Sequence, residues 1–309
     1  ADWAGILGLI LGLGALTVLL EEGHREEWFE SSFIRWLTLI AVIGFSSLIY
    51  GQMNAPKPVL KLRLLLDRQF GSVAVMALAL GMVMYGSTYV IPQFLAIISD
   101  YNAFQTGLVI FWMGIPAFLL MPVLPFMIRR IHIRIAVGAG MLLMAISCFV
   151  SISLTAQSGG AVFTEGQLIR GVGMILSMMF LNQATVASVA KADAGDASGI
   201  FNAARNLGGS FALAGLASFQ DQRIWHHSRR MEESLNANSV SVQNHLDGLA
   251  RNFGGMDGAM AMLSRTIQRE AFVMTYNDVF LAMGILTLAT VPLVVFLKPL
   301  PKNTSLSMH

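Results

Sequence analysis

The chain has 309 residues, of which 55% are hydrophobic and only 12% charged, and its mean hydropathy is +0.64. So few polar side chains cannot coat a globule of this length, which excludes a soluble globular protein and favours a membrane protein. The net charge of +2 is close to balance and gives no indication of a nucleic acid partner.

Apolar runs predict about eight membrane-spanning helices, because a helix needs about 20 apolar residues to cross the hydrocarbon core. The predicted spans lie at 4–20, 36–52, 70–98, 105–128, 133–155, 165–188, 197–219 and 278–297. The third span is long, and Gly86 and Pro92 are its predicted kink points. The expected fold class is therefore an all-α membrane protein.

Basic residues in the short loops predict the orientation of these spans. One face of the membrane receives Lys57, Lys61, Arg63, Arg68, Arg129, Arg130, Arg134, Lys191, Lys298 and Lys302. The opposite short loops, 99–104 and 156–160, contain no Lys or Arg. The basic face is predicted to be cytoplasmic, with both ends of the chain on it.

These spans divide the chain into four predicted parts. They are two transmembrane helices at 1–52, a cytoplasmic linker at 53–69, a six-helix unit at 70–298 and a cytoplasmic tail at 299–309. The six-helix unit includes an outer loop at 220–275, in which periodic Leu and Met predict short amphipathic helices.

Two arginines inside predicted spans are candidates for function, because a charged group at membrane depth costs about 2.5–3.5 kcal/mol on insertion scales. Arg170 lies in QLIRGVG of the sixth span and Arg205 in NAARNLGGS of the seventh. Each is interpreted either as a cavity or gating group or as a side chain that reaches a surface or bonds helix carbonyls. By contrast, Glu165 and Asp278 lie near outer span ends and are predicted to be solvated.

Polar and aromatic residues at mid-span suggest a pocket for lipophilic or cationic compounds. They are Tyr85, Tyr89, Gln93, Trp112, Asn182 and Gln183. Abundant Met, including Met178 and Met179, suits adaptable contacts, although packing explains most individual Met residues equally well.

No pattern in the sequence predicts an enzyme, a metal site or a cofactor. Cys148 is the only cysteine, and its apolar surroundings predict a buried thiol. His226 and His227 adjoin without a third ligand at a suitable spacing. The acidic cluster within 21–30 is interpreted as a solvated loop.

The order of motifs resembles the fourteen-helix drug/proton antiporter branch of the major facilitator superfamily, the EmrB/QacA type. The motifs are LLEEGHREEWFES after the first span, PVLKLRLLLDRQF before the third, RRIHIR between the fourth and fifth, QLIRGVG in the sixth and SGIFNAARNLGGS entering the seventh. The resemblance extends over essentially the whole chain.

This resemblance implies that the spans 4–20 and 36–52 are two helices inserted between transporter halves, and that the other six form the C-terminal half. An N-terminal half that carries the coupling carboxylates would then be missing, and the opening at Ala1 also predicts a truncated start. The implied function is proton-coupled multidrug efflux by alternating access in the inner membrane.

The partners that the resemblance implies are protons, small amphipathic substrates, the lipid bilayer and, in some relatives, a periplasmic adaptor at 220–275. Two other hypotheses remain open from the sequence. The chain could be a self-contained membrane scaffold, or a carrier of a defined metabolite with the same fold.

Overall fold

The structure, a computed structural model, describes residues 2–55, 59–235, 240–252 and 255–297, without the side chains of Arg129, Ser234, Val240, Ser241, His245 and Asn252. This part of the chain contains ten α-helices and no β-strand. The helices are α1 (Trp3–Glu22), α2 (Ser32–Asn54), α3 (Arg68–Ile97), α4 (Ala103–Leu120), α5 (Leu124–Arg130), α6 (Ile133–Val150), α7 (Ala161–Ala187), α8 (Ala194–Ser234), α9 (Val240–Asn252) and α10 (Met256–Thr290). Short 3₁₀ helices lie at Trp28–Glu30, Leu62–Leu66, Lys191–Asp193 and Val291–Phe296.

Polar side chains determine where several helices begin. The Asp2 and Asp67 carboxylates accept hydrogen bonds from backbone amides in the first turns of α1 and α3. Asn102 and Gln105 form a reciprocal capping box at the start of α4. These caps satisfy amides that have no partner within their own helix.

Six helices of the described ranges are long and apolar enough to cross a membrane, namely α1, α2, α3, α4, α6 and α10. The helical membrane class is therefore confirmed, although eight spans were expected. α7 and α8 have 27 and 41 residues, so they are long enough to span. We attribute their lower hydropathy to polar residues such as Arg170 and Asn182 in α7 and Arg205 in α8.

The predicted span 105–128 is interrupted. α4 ends at Leu120, and the separate short helix α5 begins at Leu124. Pro122 lies within this break and Pro125 is the second residue of α5, and each removes a backbone donor that a continuous helix would need. The C-terminal residues of the predicted span therefore form a helix of their own.

The described residues of the range 220–275 are mostly helical, where the sequence predicts an outer loop with short amphipathic helices. α8 continues to Ser234, α9 follows, and α10 begins at Met256. A helix of 41 residues is about 60 Å long, which is about twice the thickness of the hydrocarbon core. α8 and α10 therefore extend well beyond the predicted spans 197–219 and 278–297.

The main core is formed by buried apolar residues of α3, α6, α7, α8 and α10. Phe94 lies against Phe163 and Tyr276 in edge-on arrangements, with ring centroids 5.4 and 5.2 Å apart. α4 packs along α7 but buries few residues, so most of its surface is exposed in this structure.

α1 and α2 form a hairpin that is held together by glycines. A methyl group built on Gly44 would lie 2.3 Å from the Gly12 amide nitrogen, and one on Gly8 would lie 2.7 Å from the Gly44 carbonyl oxygen. Small residues allow such close backbone approach between membrane helices. The hairpin packs on α8, where Leu19, Leu20 and Ile34 contact Ala214.

Candidate functional site

Arg170 lies in the interior of α7 and is only 1% exposed. Its Nε donates to the Ser147 hydroxyl at 3.2 Å, and one terminal nitrogen donates to the Gln167 carbonyl oxygen at 2.9 Å. The guanidinium carbon lies 6.0 Å from the centre of the Phe280 ring. Among the described residues, no carboxylate pairs with Arg170, and its second terminal nitrogen has no hydrogen-bond partner.

Arg205 lies at a different place, where α8 meets α3 and α7. One terminal nitrogen lies 3.6 Å from the Met178 sulfur of α7, and its buried Nε has no partner among the described residues. The structure therefore does not bring the two arginines together, because each contacts a different set of helices.

Tight glycine contacts fix the position of Arg205. A methyl group built on Gly81 of α3 would lie 1.9 Å from the Arg205 carbonyl oxygen. Reciprocally, one on Gly208 of α8 would lie 2.0 Å from the Leu78 carbonyl oxygen. Backbone contact on both sides leaves little freedom for α8 to slide along α3.

Tyr85 and Tyr89 lie one turn apart on α3, and Tyr85 contacts α8 at the residue that follows Arg205. The Tyr85 hydroxyl donates to the Asn206 side-chain oxygen of α8 at 3.4 Å. Tyr85 and Tyr89 are 37% and 41% exposed, although both lie in the interior of a 30-residue helix. We call Tyr85, Tyr89, Arg205 and Asn206 the α3/α8 polar face.

Asn206 was missed as a site residue from the sequence. It is adjacent to Arg205 in NAARNLGGS, so its position beside a charged residue at membrane depth was an available signal.

The predicted residue Gln93 takes part in a contact between helices. The Gln220 side-chain amide of α8 donates to the Gln93 oxygen of α3 at 3.0 Å, and Gln220 is buried. Each amide satisfies part of the other's hydrogen-bonding capacity, so this pair joins α3 to α8. Gln93 is therefore placed in a helix contact, two turns beyond Tyr85.

The other predicted residues lie on α4 and α7. Trp112 is exposed on α4, and Asn182 and Gln183 are half-buried on α7. In the described part of the chain, no hydrogen bond joins any of the three to Tyr85, Tyr89 or the arginines. Hydrogen bonds therefore do not join the eight predicted residues into one network in the described part of the chain.

The basic residues at the end of α5 and the start of α6 make local contacts. The Arg130 guanidinium lies 5.1 Å from the centre of the Phe126 ring, and the Arg134 Nε donates to the Leu297 carbonyl oxygen at 2.5 Å. Arg129 belongs to the same predicted basic loop, but its side chain lies outside the described residues.

Lys61 forms an ion pair with Asp193 at the same end of the helices. This contact joins the segment between α2 and α3 to the start of α8. The hydrogen bond and the attraction to Asp193 raise the pKa of Lys61 above its usual range. The charged form of Lys61 is therefore favoured in the folded chain.

The opposite end of α8 carries a compact ionic cluster. The Asp278 carboxylate accepts from Arg223 Nε at 2.7 Å and lies 2.6 Å from His227 Nε2. The prediction that Asp278 is a solvated edge residue is therefore wrong, since it joins α10 to two side chains of α8. The i, i+4 spacing of Arg223 and His227 was the available signal.

No group of three or more His, Cys, Asp or Glu residues in the described ranges could hold a metal ion. The geometry therefore consists of apolar spans, two separately held arginines and a polar face at mid-helix. Such groups at membrane depth are typical of multi-pass membrane proteins that bind or move solutes.

Residues 2–213 match the Major Facilitator Superfamily, and the chain belongs to that superfamily. Its members are transporters and not enzymes. The resemblance found in the motifs is thus confirmed at the level of the family.

Relatives of this chain are named for resistance and export. It is 27% identical to the colistin resistance protein EmrB of Acinetobacter baumannii and 26% identical to the fatty acid resistance protein FarB of Neisseria gonorrhoeae; in both cases the match covers 96% of this chain and 59% of the relative. It is 25% identical to the multidrug export protein EmrB of Escherichia coli K12, over 96% of this chain and 58% of the relative. The chain therefore spans less than two thirds of the length of these relatives.

Proposed function

We propose that this chain is the C-terminal part of a proton-coupled multidrug efflux transporter that exports amphipathic or cationic compounds by alternating access. In this proposal α1 and α2 are the inserted helices, and α3 to α10 form one half of the transporter. An N-terminal half would supply the other side of the cavity and the coupling carboxylates. The names of the relatives, a colistin resistance protein and a multidrug export protein, support the proposal.

The α3/α8 polar face is the observation that carries the proposal. Tyr85 and Tyr89 offer exposed aromatic rings at mid-helix, and such rings bind both apolar groups and cations. Arg205, the neighbour of Asn206 in α8, adds a positive charge that no ion pair neutralises among the described residues. An uncovered polar face at this depth is suited to a cavity between two halves.

The charge on Arg205 would provide a way to couple protons to transport. An unpaired cation at membrane depth is stabilised by a nearby carboxylate, and protonation of that carboxylate removes the stabilisation. We place such a carboxylate in the N-terminal half. Arg170 would take a supporting role, since its hydrogen bond to Ser147 joins α7 to α6.

The proposed setting is the inner membrane, with both ends of the chain in the cytoplasm. The basic residues at one end of the helices, including Lys61 and Arg134, support this orientation. The parts of α8 and α10 between residues 220 and 275 would then face the periplasm, where an adaptor protein could dock.

Proton-gradient-dependent efflux of a fluorescent cationic dye tests the proposal. The dye is followed in cells that express this chain alone and in cells that express the chain extended upstream in its reading frame. Efflux only from the longer protein, abolished when the proton gradient collapses, is the expected result. Dye transport by this chain alone would contradict the half-transporter proposal, and no transport by either would favour the scaffold or metabolite-carrier hypothesis.

Substitutions in the longer protein test the residues. Tyr85→Ala is expected to lower dye efflux severalfold, because it removes an aromatic face from the cavity. Tyr50→Ala is the matched control, since Tyr50 is an exposed tyrosine on α2, away from the polar face. Equal losses in both variants would remove Tyr85 from the proposed site.

A further inference from the structure

Residues 61–67 lie between two helices that can each cross a membrane, α2 ending at Asn54 and α3 beginning at Arg68. Both ends of this segment are therefore at a membrane boundary. It is also fixed against α3, because a methyl group built on Gly71 would lie 2.7 Å from the Leu65 carbonyl oxygen.

The leucines of this segment have two different environments. Leu62 and Leu64 pack against a buried cluster that contains Leu60, Phe70 and Ile200. The next two residues, Leu65 and Leu66, are instead 41% and 84% exposed. Exposed leucines beside a membrane span are suited to contact with lipid rather than water.

Basic side chains flank these exposed leucines. Lys61 is paired with Asp193, whereas Arg63 and Arg68 are exposed and have no ion pair among the described residues. The neighbouring Asp67 carboxylate accepts hydrogen bonds from the Gln69 and Phe70 amides, so part of its charge is used in capping α3. Two guanidinium groups therefore remain free for an outside anion.

We infer that Arg63, Leu65, Leu66 and Arg68, here called the 63–68 patch, form a binding surface for anionic phospholipid at the membrane boundary. The leucines enter the region between headgroups and acyl chains, and the arginines bind phosphate oxygens, for which the guanidinium fork is well suited. Charge complementarity and the position directly before a membrane span favour a lipid over a protein partner. This inference requires membrane insertion but not transport.

Native mass spectrometry of the purified full chain in detergent tests the patch. Dioleoyl phosphatidylglycerol or dioleoyl phosphatidylcholine is titrated, and retained lipid is measured for the parent and for Arg63→Gln/Arg68→Gln. The parent is expected to retain more phosphatidylglycerol than phosphatidylcholine. The variant should lose phosphatidylglycerol affinity by about fivefold for each arginine removed.

Arg229→Gln/Arg230→Gln is the matched control, because it removes two adjacent arginines near the other end of α8. It should leave phosphatidylglycerol binding unchanged. Circular dichroism establishes that each variant is folded, and Arg63→Gln alone replaces the double variant if that one does not fold, since Arg63 lies outside α3.

Three results would overturn the inference. They are equal retention of the two lipids by the parent, equal phosphatidylglycerol binding by parent and patch variant, and complete displacement of phosphatidylglycerol by inorganic phosphate. Equal retention of the two lipids would mean that only the leucines bind lipid. Complete displacement by inorganic phosphate would mean that the arginines bind free anions. Dye efflux is not part of these readouts, so the patch and the proposed transport function fail independently.

Discussion

Arg170 is a cation held by neutral partners in the interior of α7. Ser147 and Gln167 accept its hydrogen bonds, and the face of Phe280 lies near its guanidinium group. A planar fork can serve both acceptors at once, whereas a single ammonium group at the end of a longer stem cannot match that geometry.

Arg170→Lys is therefore expected to destabilise the chain by about 1–3 kcal/mol, because at least one buried acceptor loses its donor. Chemical unfolding in detergent micelles followed by circular dichroism measures this change.

Arg230→Lys is the matched control for that substitution. Arg230 is exposed in α8, and a surface change of this kind should alter stability by no more than about 0.5 kcal/mol. Unaltered stability in Arg170→Lys would mean that the two hydrogen bonds are not important for folding.

The Lys61–Asp193 pair predicts a dependence of stability on alkaline pH. The pKa of Lys61 is raised above its ordinary 10.5 by Asp193, so the pair's stabilisation is fully present below pH 10.5 and is lost as pH rises through the raised value. The difference in thermal midpoint between the parent and Lys61→Gln should therefore shrink above that pH. Lys191→Gln, a lysine two residues from Asp193, is the control and should show no such trend.

The sequence identified both arginines at membrane depth, because charge in an apolar run is visible without a structure. It did not identify what each arginine contacts, since Ser147 and Met178 lie on other helices. The pairing of Asp278 was missed for the same reason: its partners are more than 50 residues away in the chain.

At the scale of helices, glycine contacts hold α3 and α8 together. Gly208→Ala should separate these helices, because the added methyl group would lie 2.0 Å from the Leu78 carbonyl oxygen. We expect a loss of about 1–3 kcal/mol in unfolding free energy and reduced dye efflux from the longer protein. Unfolding in micelles and the efflux assay measure the two effects.

Gly215→Ala lies on the same helix and is the matched control. A methyl group built on Gly215 has no atom within 4 Å, so stability should be unchanged or slightly increased by the better helix propensity of alanine. Similar losses at Gly208 and Gly215 would mean that the loss at Gly208 does not come from its close contact with Leu78.

Apolar runs predicted most helices but not their full lengths. Hydropathy detects the apolar part of a helix, so a helix over 197–219 was predicted and the continuation of α8 to Ser234 was not. At 105–128 the error was the opposite: hydropathy predicted one long helix, but prolines divide this apolar run into two helices.

At the scale of the whole molecule, the proposed orientation can be tested with cysteines. Cys148 is the only cysteine and is fully buried, so the parent should give little background with a maleimide that does not cross membranes. Trp225 lies 31 residues beyond the start of α8, a rise of about 46 Å, which exceeds the hydrocarbon core. In intact cells with a permeable outer membrane, Trp225→Cys should be labelled and Lys191→Cys should not.

Inside-out vesicles provide the complementary measurement and should reverse the two results. Labelling of both cysteines from the same side would contradict both a spanning α8 and the predicted orientation. The basic loops made this orientation predictable, whereas the packing of the α1–α2 hairpin on α8 depends on side-chain fit that sequence patterns do not encode.

Because α8 is one continuous helix, a rotation at one point along it would move both of its ends. Just before the helix, Asp193 forms an ion pair with Lys61. Further along, Gly208 is in close backbone contact with α3. Beyond Gly208, Arg223 forms an ion pair with Asp278 of α10. The two ion pairs lie about 22 Å on either side of Gly208, so a rotation of α8 by about 5° about Gly208 displaces them by about 2 Å in opposite directions. Such a swing is enough to break one of the terminal ion pairs while leaving the pivot intact.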